Sequence, residues 1–178
     1  MSGTHRSGSV TIRRPVTGDG PALIQANNES RAYHEPWVYA FRDQAGFQAW
    51  FERSLTGASV PYLVLEDGVP AGIINLNNIV MNAFRSAQLG YYGFLGFEGR
   101  GLMAQGLARV IEAAFGDLGL HRLEAAIQPD NRRSIALVKR LGFQHEGFSP
   151  RYLQVGGVWR DHERFARLAD DDGSRGSK

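Results

Sequence analysis

Three glycines in the middle of the chain could hold a phosphate group. Gly96, Gly99 and Gly101 lie between an apolar segment, residues 87–94, and a segment with helically spaced apolar side chains, residues 103–118. A helix that begins directly after a glycine turn presents unpaired backbone N–H groups. These donors and the helix dipole both attract anions. The sequence therefore predicts a site for a phosphorylated ligand at this strand-to-helix junction.

The order of the glycines argues against two common phosphate loops. A P-loop requires Lys followed by Ser or Thr after the last glycine, whereas Leu102 and Met103 follow here. A dinucleotide-binding loop requires Gly-x-Gly-x-x-Gly within a βαβ unit, whereas the order here is Gly96-x-x-Gly99-x-Gly101. The first class is excluded and the second fits poorly, so another phosphorylated ligand is expected.

Four motifs in order along the chain resemble the GNAT superfamily of N-acetyltransferases. Residues 98–103 are similar to its acetyl-CoA pyrophosphate loop, and residues 120–134 are similar to its fifth strand and fourth helix. Residues 141–148, Leu-Gly-Phe-Gln-His-Glu-Gly-Phe, resemble the start of its sixth strand. Residues 152–162 resemble the RimJ/RimL branch, the ribosomal-protein alanine N-acetyltransferases. The resemblance extends from about residue 10 to residue 168.

This resemblance implies that acetyl-CoA is the cosubstrate and that no metal takes part. Backbone groups around Phe94 and Leu95 would bind the pantetheine arm and face the thioester carbonyl, and Asn131 would hydrogen-bond the same arm. Glu98 stands where Gln or Arg is usual, and Met103 replaces a small residue. The pyrophosphate would bind the loop formed by Glu98, Gly99, Arg100, Gly101, Leu102 and Met103.

The resemblance also implies a proton donor for the departing thiolate of CoA. Many superfamily members carry a tyrosine four residues before the Gly-Phe pair, but Val138 occupies that position here. The donor would then be Ser134. Asn131 and Ser134 lie one helical turn apart and share a face, a spacing that fits catalysis and also fits simple capping of the helix.

A base that removes the proton of the acceptor amine has several candidates. Glu35 lies in an aromatic segment, residues 34–37, that resembles the substrate-side loop of the RimJ/RimL branch, and we take it as the first choice. Glu124 on the predicted fifth strand and Asp161 and His162 in the final motif are alternatives. A chain of water molecules could also carry the proton away without a dedicated base.

The segments around these residues predict a single α/β domain. The resemblance implies a central mixed, mostly antiparallel sheet of about seven strands, in which the fourth and fifth strands splay apart, flanked by about four helices. The patterns place strands at residues 10–13, 62–66, 71–80, 87–94, 122–127, 143–148 with 152–155, and 159–168, and helices at residues 17–30, 41–55, 103–118 and 132–141. Residues 10–169 would form the acyltransferase domain, and residues 1–9 and 170–178 would be flexible tails.

Composition excludes several function classes. The chain has no cysteine, which rules out disulfides, thiolate catalysis and cysteine metal sites, and its five histidines lack metal spacing. A formal net charge of +2 gives no nucleic-acid signature, and no apolar run is long enough to span a membrane. We therefore expect a cytoplasmic protein without a direct nucleic-acid or membrane partner. A homodimer is compatible with these observations.

Three functions follow from these observations. The first is transfer of an acetyl group from acetyl-CoA to the N-terminal α-amine of a protein, of the ribosomal type, by direct attack through a tetrahedral intermediate. The second keeps this chemistry but uses a small amine, such as a metabolite or an antibiotic. The third is a non-catalytic CoA-binding module. Trp37, Trp50 and Phe51 would either line an acceptor pocket or belong to the core.

Overall fold

The computed structural model describes residues 9–172, so the predicted tails lie almost wholly outside the described part. This part of the chain contains five α-helices, and none of them is long and apolar enough to cross a membrane. They are α1 (Gly20–Glu29), α2 (Arg31–His34), α3 (Gln44–Leu55), α4 (Leu102–Phe115) and α5 (Arg132–Arg140). The strands are β1 (Val10–Arg13), β2 (Ser59–Glu66), β3 (Val69–Val80), β4 (Ser86–Gly93), β5 (Arg122–Ile127), β6 (Gln144–Val155) and β7 (Val158–Leu168).

The seven strands form one sheet with the order β1-β2-β3-β4-β5-β7-β6. Every neighbouring pair is antiparallel except β4 and β5, which are parallel. The parallel ladder runs only from Ser86–Arg122 to Gln88–Glu124. Beyond it, β4 continues along β3 and β5 continues along β7, so the two strands separate. The expectation of a mixed, mostly antiparallel sheet with splayed fourth and fifth strands is confirmed.

Helices cover both faces of the sheet because successive strand residues point to opposite sides. On β2, Val64 packs into the core under α4, whereas Leu63 packs into the core under α1 and α3. The approach of α4 depends on Gly106, where a Cβ would lie only 2.5 Å from a methyl group of Val64. The lack of a side chain at Gly106 therefore lets α4 pack closely against β2.

Three local features differ from the sequence expectations. No helix is predicted between residues 30 and 41, but the short helix α2 lies there, and it is too short to show a helical period. The helix predicted from residue 17 begins at Gly20, because residues 17–19 form a 3₁₀ turn in which the Asp19 carboxylate accepts from Val16 N and Arg13. The two segments expected near residues 143–155 form one strand, β6. This strand lies at the sheet edge, where its bulges and Pro150 are tolerated.

Candidate active site

The separation of β4 and β5 opens a cleft of about 230 Å³. Side chains alternate along both strands, so the cleft has two faces. Tyr91 and Ser134 lie on the face covered by α5, and the opposite face carries polar and charged groups from β4, β5 and β7. The cleft is lined by Gln88, Tyr91, Glu124, Ser134, His162 and Arg164, among others.

Two hydroxyl groups meet on the α5 side of the cleft. The Tyr91 hydroxyl lies 2.6 Å from Ser134 Oγ, and it also lies 3.4 Å from the Ser134 carbonyl oxygen. Burial raises the pKa of Tyr91 to about 12, so the phenol stays protonated at neutral pH. The Asn131 side chain accepts from Ser134 N at 3.2 Å and caps α5. The cleft therefore contains a serine whose position is set by a helix cap and a tyrosine.

Sequence reasoning missed Tyr91 as a site residue. Its position within an apolar strand favours a place in the core, and its side chain does pack partly against the core. Its partner Ser134 lies 43 residues further along the chain, on α5. The pair forms only because β4 and β5 separate, and no local pattern encodes that contact.

The glycine turn before α4 leaves backbone donors open. Gly96, Gly99 and Gly101 have φ values of 89°, 71° and 73°, the left-handed region that favours glycine. A Cβ placed on any of the three would meet no protein atom within 4 Å. The first α4 hydrogen bond runs from Gln105 N to Gly101 O, so the three preceding N–H groups have no helical acceptor. These features fit a diphosphate group.

The side chains of this loop are engaged with the protein. Glu98 Oε2 accepts from Gly96 N at 2.8 Å, so this carboxylate occupies a loop amide that an anionic ligand could use. The Arg100 guanidinium donates to Glu66. Met103 fills the space against Gly72, where a Cβ would lie 2.5 Å from the methionine sulfur. The side chains of Glu98, Arg100 and Met103 thus have contacts within the protein, and binding of a pyrophosphate to this loop through its backbone stays a prediction.

The amides of Phe94 and Leu95 also have partners. Phe94 N donates to Ala71 O of β3 at 2.8 Å, and Leu95 N donates to Ser30 Oγ at 2.9 Å. Successive N–H groups of a strand point to opposite sides. Because Phe94 N points toward β3, Gly93 N points the other way, toward the gap between β4 and β5. A role of Phe94 and Leu95 in binding pantetheine stays a prediction, and for Leu95 N it requires release from Ser30.

The candidate bases lie in different surroundings. Glu35 lies outside the cleft lining and contacts Arg31 at 3.1 Å and Arg42 at 3.3 Å. Asp161 is exposed, and its carboxylate accepts from Arg151 N at 2.7 Å. Glu124 and His162 both line the cleft. A base role for Glu35 stays a prediction that requires movement of the loop after α2.

The aromatic residues named from the sequence divide between the cleft and the core. Trp37 lines the cleft. Trp50 is buried in the core under α3, where its Nε1 donates to Asn75 Oδ1 at 2.9 Å, and Phe51 packs against the same core. Among residues 9–172 no three His, Asp or Glu side chains come together in a way that could hold a metal ion. Of the three aromatic residues named from the sequence, Trp37 alone therefore lies in the wall of the cleft.

Comparison with known proteins identifies the family. The acetyltransferase (GNAT) domain matches residues 9–144. The chain is 38% identical over 100 residues to the [ribosomal protein uS5]-alanine N-acetyltransferase of Escherichia coli, covering 56% of this chain and 52% of that protein. It thus spans about half the length of that curated relative. It is 32% identical over 165 residues to an L-methionine sulfoximine/L-methionine sulfone acetyltransferase of Pseudomonas aeruginosa, covering 86% and 91% of the two chains.

A solved structure gives the same result. Mycobacterium smegmatis RimJ in complex with CoA-disulfide superimposes with a TM-score of 0.87 at 28% identity, covering 94% of this chain and 85% of that one. The family match extends over more than half of the residues, and the splayed strands and glycine turn agree with it. This chain belongs to the GNAT acetyltransferase family.

Proposed function

We propose that this protein transfers the acetyl group of acetyl-CoA to a primary amine by direct attack on the thioester. The observation that carries the proposal is the Tyr91–Ser134 hydroxyl pair in the cleft between β4 and β5. The open amides at the start of α4 suit the diphosphate of CoA, and unpaired strand edges suit the amides of its pantetheine arm. The thioester would then lie near the hydroxyl pair.

The hydroxyl groups of Tyr91 and Ser134 have different proposed roles at the leaving thiolate. Ser134 donates its proton to the thiolate as the carbon–sulfur bond breaks. In this proposal the Tyr91 hydroxyl, 2.6 Å from Ser134 Oγ, takes the donor role. The serine proton is then free to point into the cleft, and the tyrosine stabilises the serine oxygen as the proton leaves. Asn131 holds Ser134 in place through the cap of α5 and hydrogen-bonds the pantetheine arm.

The proposed acceptor is the N-terminal α-amine of a protein. This choice is supported by the uS5-alanine N-acetyltransferase relative and by the RimJ structure. It is also supported by the cleft rim, where Leu153 of β6 is 37% exposed and could contact an extended peptide. The acetyltransferase would then act on a ribosomal-type substrate.

A small amine remains the second candidate because one observation favours it. Arg164 and Glu124 bring opposite charges to the cleft, with 3.9 Å between a guanidinium nitrogen and a carboxylate oxygen. Such a pair could contact the carboxylate and the ammonium of a free amino acid. The relative named for methionine sulfoximine, which aligns over 91% of its own length, supports the same candidate.

An acceptor screen separates these functions. Release of the CoA thiol is followed with acetyl-CoA and three acceptor sets: peptides with a free N-terminal alanine, the same peptides with a blocked N-terminus, and free amino acids including methionine sulfone. Turnover with the free peptides alone supports the protein acceptor, and turnover with free amino acids supports the small amine. CoA binding in calorimetry without turnover on any acceptor would favour the non-catalytic module, and absence of CoA binding would refute the proposal.

A further inference from the structure

We propose that His162 is the general base that takes the proton from the acceptor ammonium group. The assignment rests on the acetyltransferase activity proposed above. His162 lies on β7, two residues before Arg164, so the two side chains share the cleft face of the strand. The histidine is 3% exposed. It therefore lies in the wall of the cleft and away from the outer surface.

The hydrogen bonding of the ring decides which nitrogen can accept a proton. His162 Nδ1 lies 2.9 Å from Arg160 O, and a carbonyl oxygen can only accept. The hydrogen of the neutral ring is therefore on Nδ1, which leaves the lone pair on Nε2. Within the described part of the chain Nε2 has no hydrogen-bond partner, and it is not among the polar atoms sealed from solvent. A base needs such a nitrogen facing the site.

Neighbouring side chains hold the ring in this orientation. The Tyr152 ring meets the His162 ring edge-on, with 6.1 Å between the centroids. The Arg164 guanidinium carbon lies 4.8 Å from the centre of the same tyrosine ring. These contacts and the Nδ1 hydrogen bond restrict rotation of the imidazole, so Nε2 keeps its direction in the absence of substrate.

The carboxylates near the cleft are less suited to this role. Glu124 is contacted by Arg122 at 2.7 Å and by Arg164 at 3.9 Å. Both arginines therefore already contact its carboxylate, so it would have to leave these partners to reach an acceptor amine. Glu35 also contacts two arginines and lies outside the cleft lining. His162 combines a place in the cleft with a lone pair that no protein donor occupies.

The acceptor nitrogen loses two protons in the reaction, the first to His162 and the second to Ser134. Nε2 of His162 takes one proton from the acceptor ammonium, and the neutral nitrogen forms a bond to the thioester carbon. Collapse of the tetrahedral species breaks the carbon–sulfur bond. The thiolate takes the proton of Ser134, and the second proton of the acceptor nitrogen replaces it. The products are the acetamide, CoA with a free thiol, and one proton that His162 releases to solvent.

The test combines two substitutions at His162 with a matched histidine. His162→Gln should lower kcat/KM for the acceptor by about 100-fold or more, the usual contribution of a general base. The dissociation constant of CoA, measured by calorimetry, should change by less than about twofold, since the proposed role of the ring is toward the acceptor amine and not toward CoA. In His162→Ala, added imidazole should restore part of the lost rate. His145→Gln, on β6 and paired with Glu163, should keep wild-type kinetics.

Other outcomes overturn the assignment. Wild-type kinetics in His162→Gln, or a loss in His162→Ala that imidazole does not reduce while CoA binding is intact, would show that Nε2 takes no proton. A large loss in Glu35→Gln with normal rates in His162→Gln would transfer the role to Glu35. A wild-type protein that turns over no acceptor would refute the proposed function itself, and the base assignment with it.

Discussion

Replacement of Gly101 by alanine tests whether the turn before α4 binds the phosphates of CoA. Gly101 has φ 73° and caps the N-terminus of the helix. A Cβ there meets no protein atom within 4 Å, so the substitution adds no steric clash inside the protein. It adds only the conformational cost of an L-residue in the left-handed region, about 1–2 kcal/mol of unfolding free energy.

The effect on CoA binding has a separate origin. The added methyl group would project into the open space over the loop, where a phosphate oxygen must approach the backbone N–H groups of Leu102 and Met103. Loss of one hydrogen bond to a charged group costs about 1.5–3 kcal/mol. The dissociation constant of CoA should therefore rise by about tenfold to about 150-fold.

A matched glycine separates strain from binding. Gly119, in the connection between α4 and β5, has φ 62° and also has no protein atom within 4 Å of an added Cβ. Gly119→Ala should lower the free energy of unfolding by a similar amount, measured by urea denaturation, and leave calorimetric CoA binding unchanged. Equal CoA affinity in wild type and Gly101→Ala would refute the phosphate site. Equal losses in both variants would attribute the effect to strain.

Three further predictions concern the same region. Tyr91→Phe should lower kcat by about tenfold or more with little change in CoA affinity, because Ser134 loses its hydrogen-bond donor; an unchanged kcat would remove Tyr91 from the reaction. Glu98→Gln keeps an acceptor for Gly96 N but removes a negative charge, so CoA should bind about two- to fivefold more tightly at low salt and less so at high salt in calorimetry. Burial lowers the pKa of His34 below its usual 6.5, so the folded protein binds its proton less readily than the unfolded chain. Stability should be full above about pH 6.5 and fall below it, and His34→Gln should flatten this dependence in urea titrations at about pH 7.5 and about pH 5.5.

The elements with strong local patterns could be predicted from the sequence. The alternation in residues 122–127 and the helical spacing after Gly101 gave β5 and α4 close to their observed bounds. Contacts between distant segments could not be predicted in this way. Leu95 N and Ser30 Oγ are 65 residues apart in the chain, and their hydrogen bond depends on how α1 and α2 pack against the sheet. The glycine turn and Ser134 could therefore be named from the sequence, whereas the contacts of Ser134 with Tyr91 and of Leu95 with Ser30 could not.

The unexpected helix α2 follows from the splay of the sheet. Once β4 separates from β5, its backbone groups lose the partners that a neighbouring strand would supply, and buried backbone groups need other partners. His34 Nε2 donates to Gly93 O at 2.8 Å, and Ser30, just before α2, accepts from Leu95 N. These two side chains therefore replace part of the missing ladder at the end of β4. A double substitution that removes both hydrogen bonds, Ser30→Ala with His34→Ala, should loosen this strand end and raise the dissociation constant of CoA in calorimetry, even though neither side chain belongs to the cleft lining.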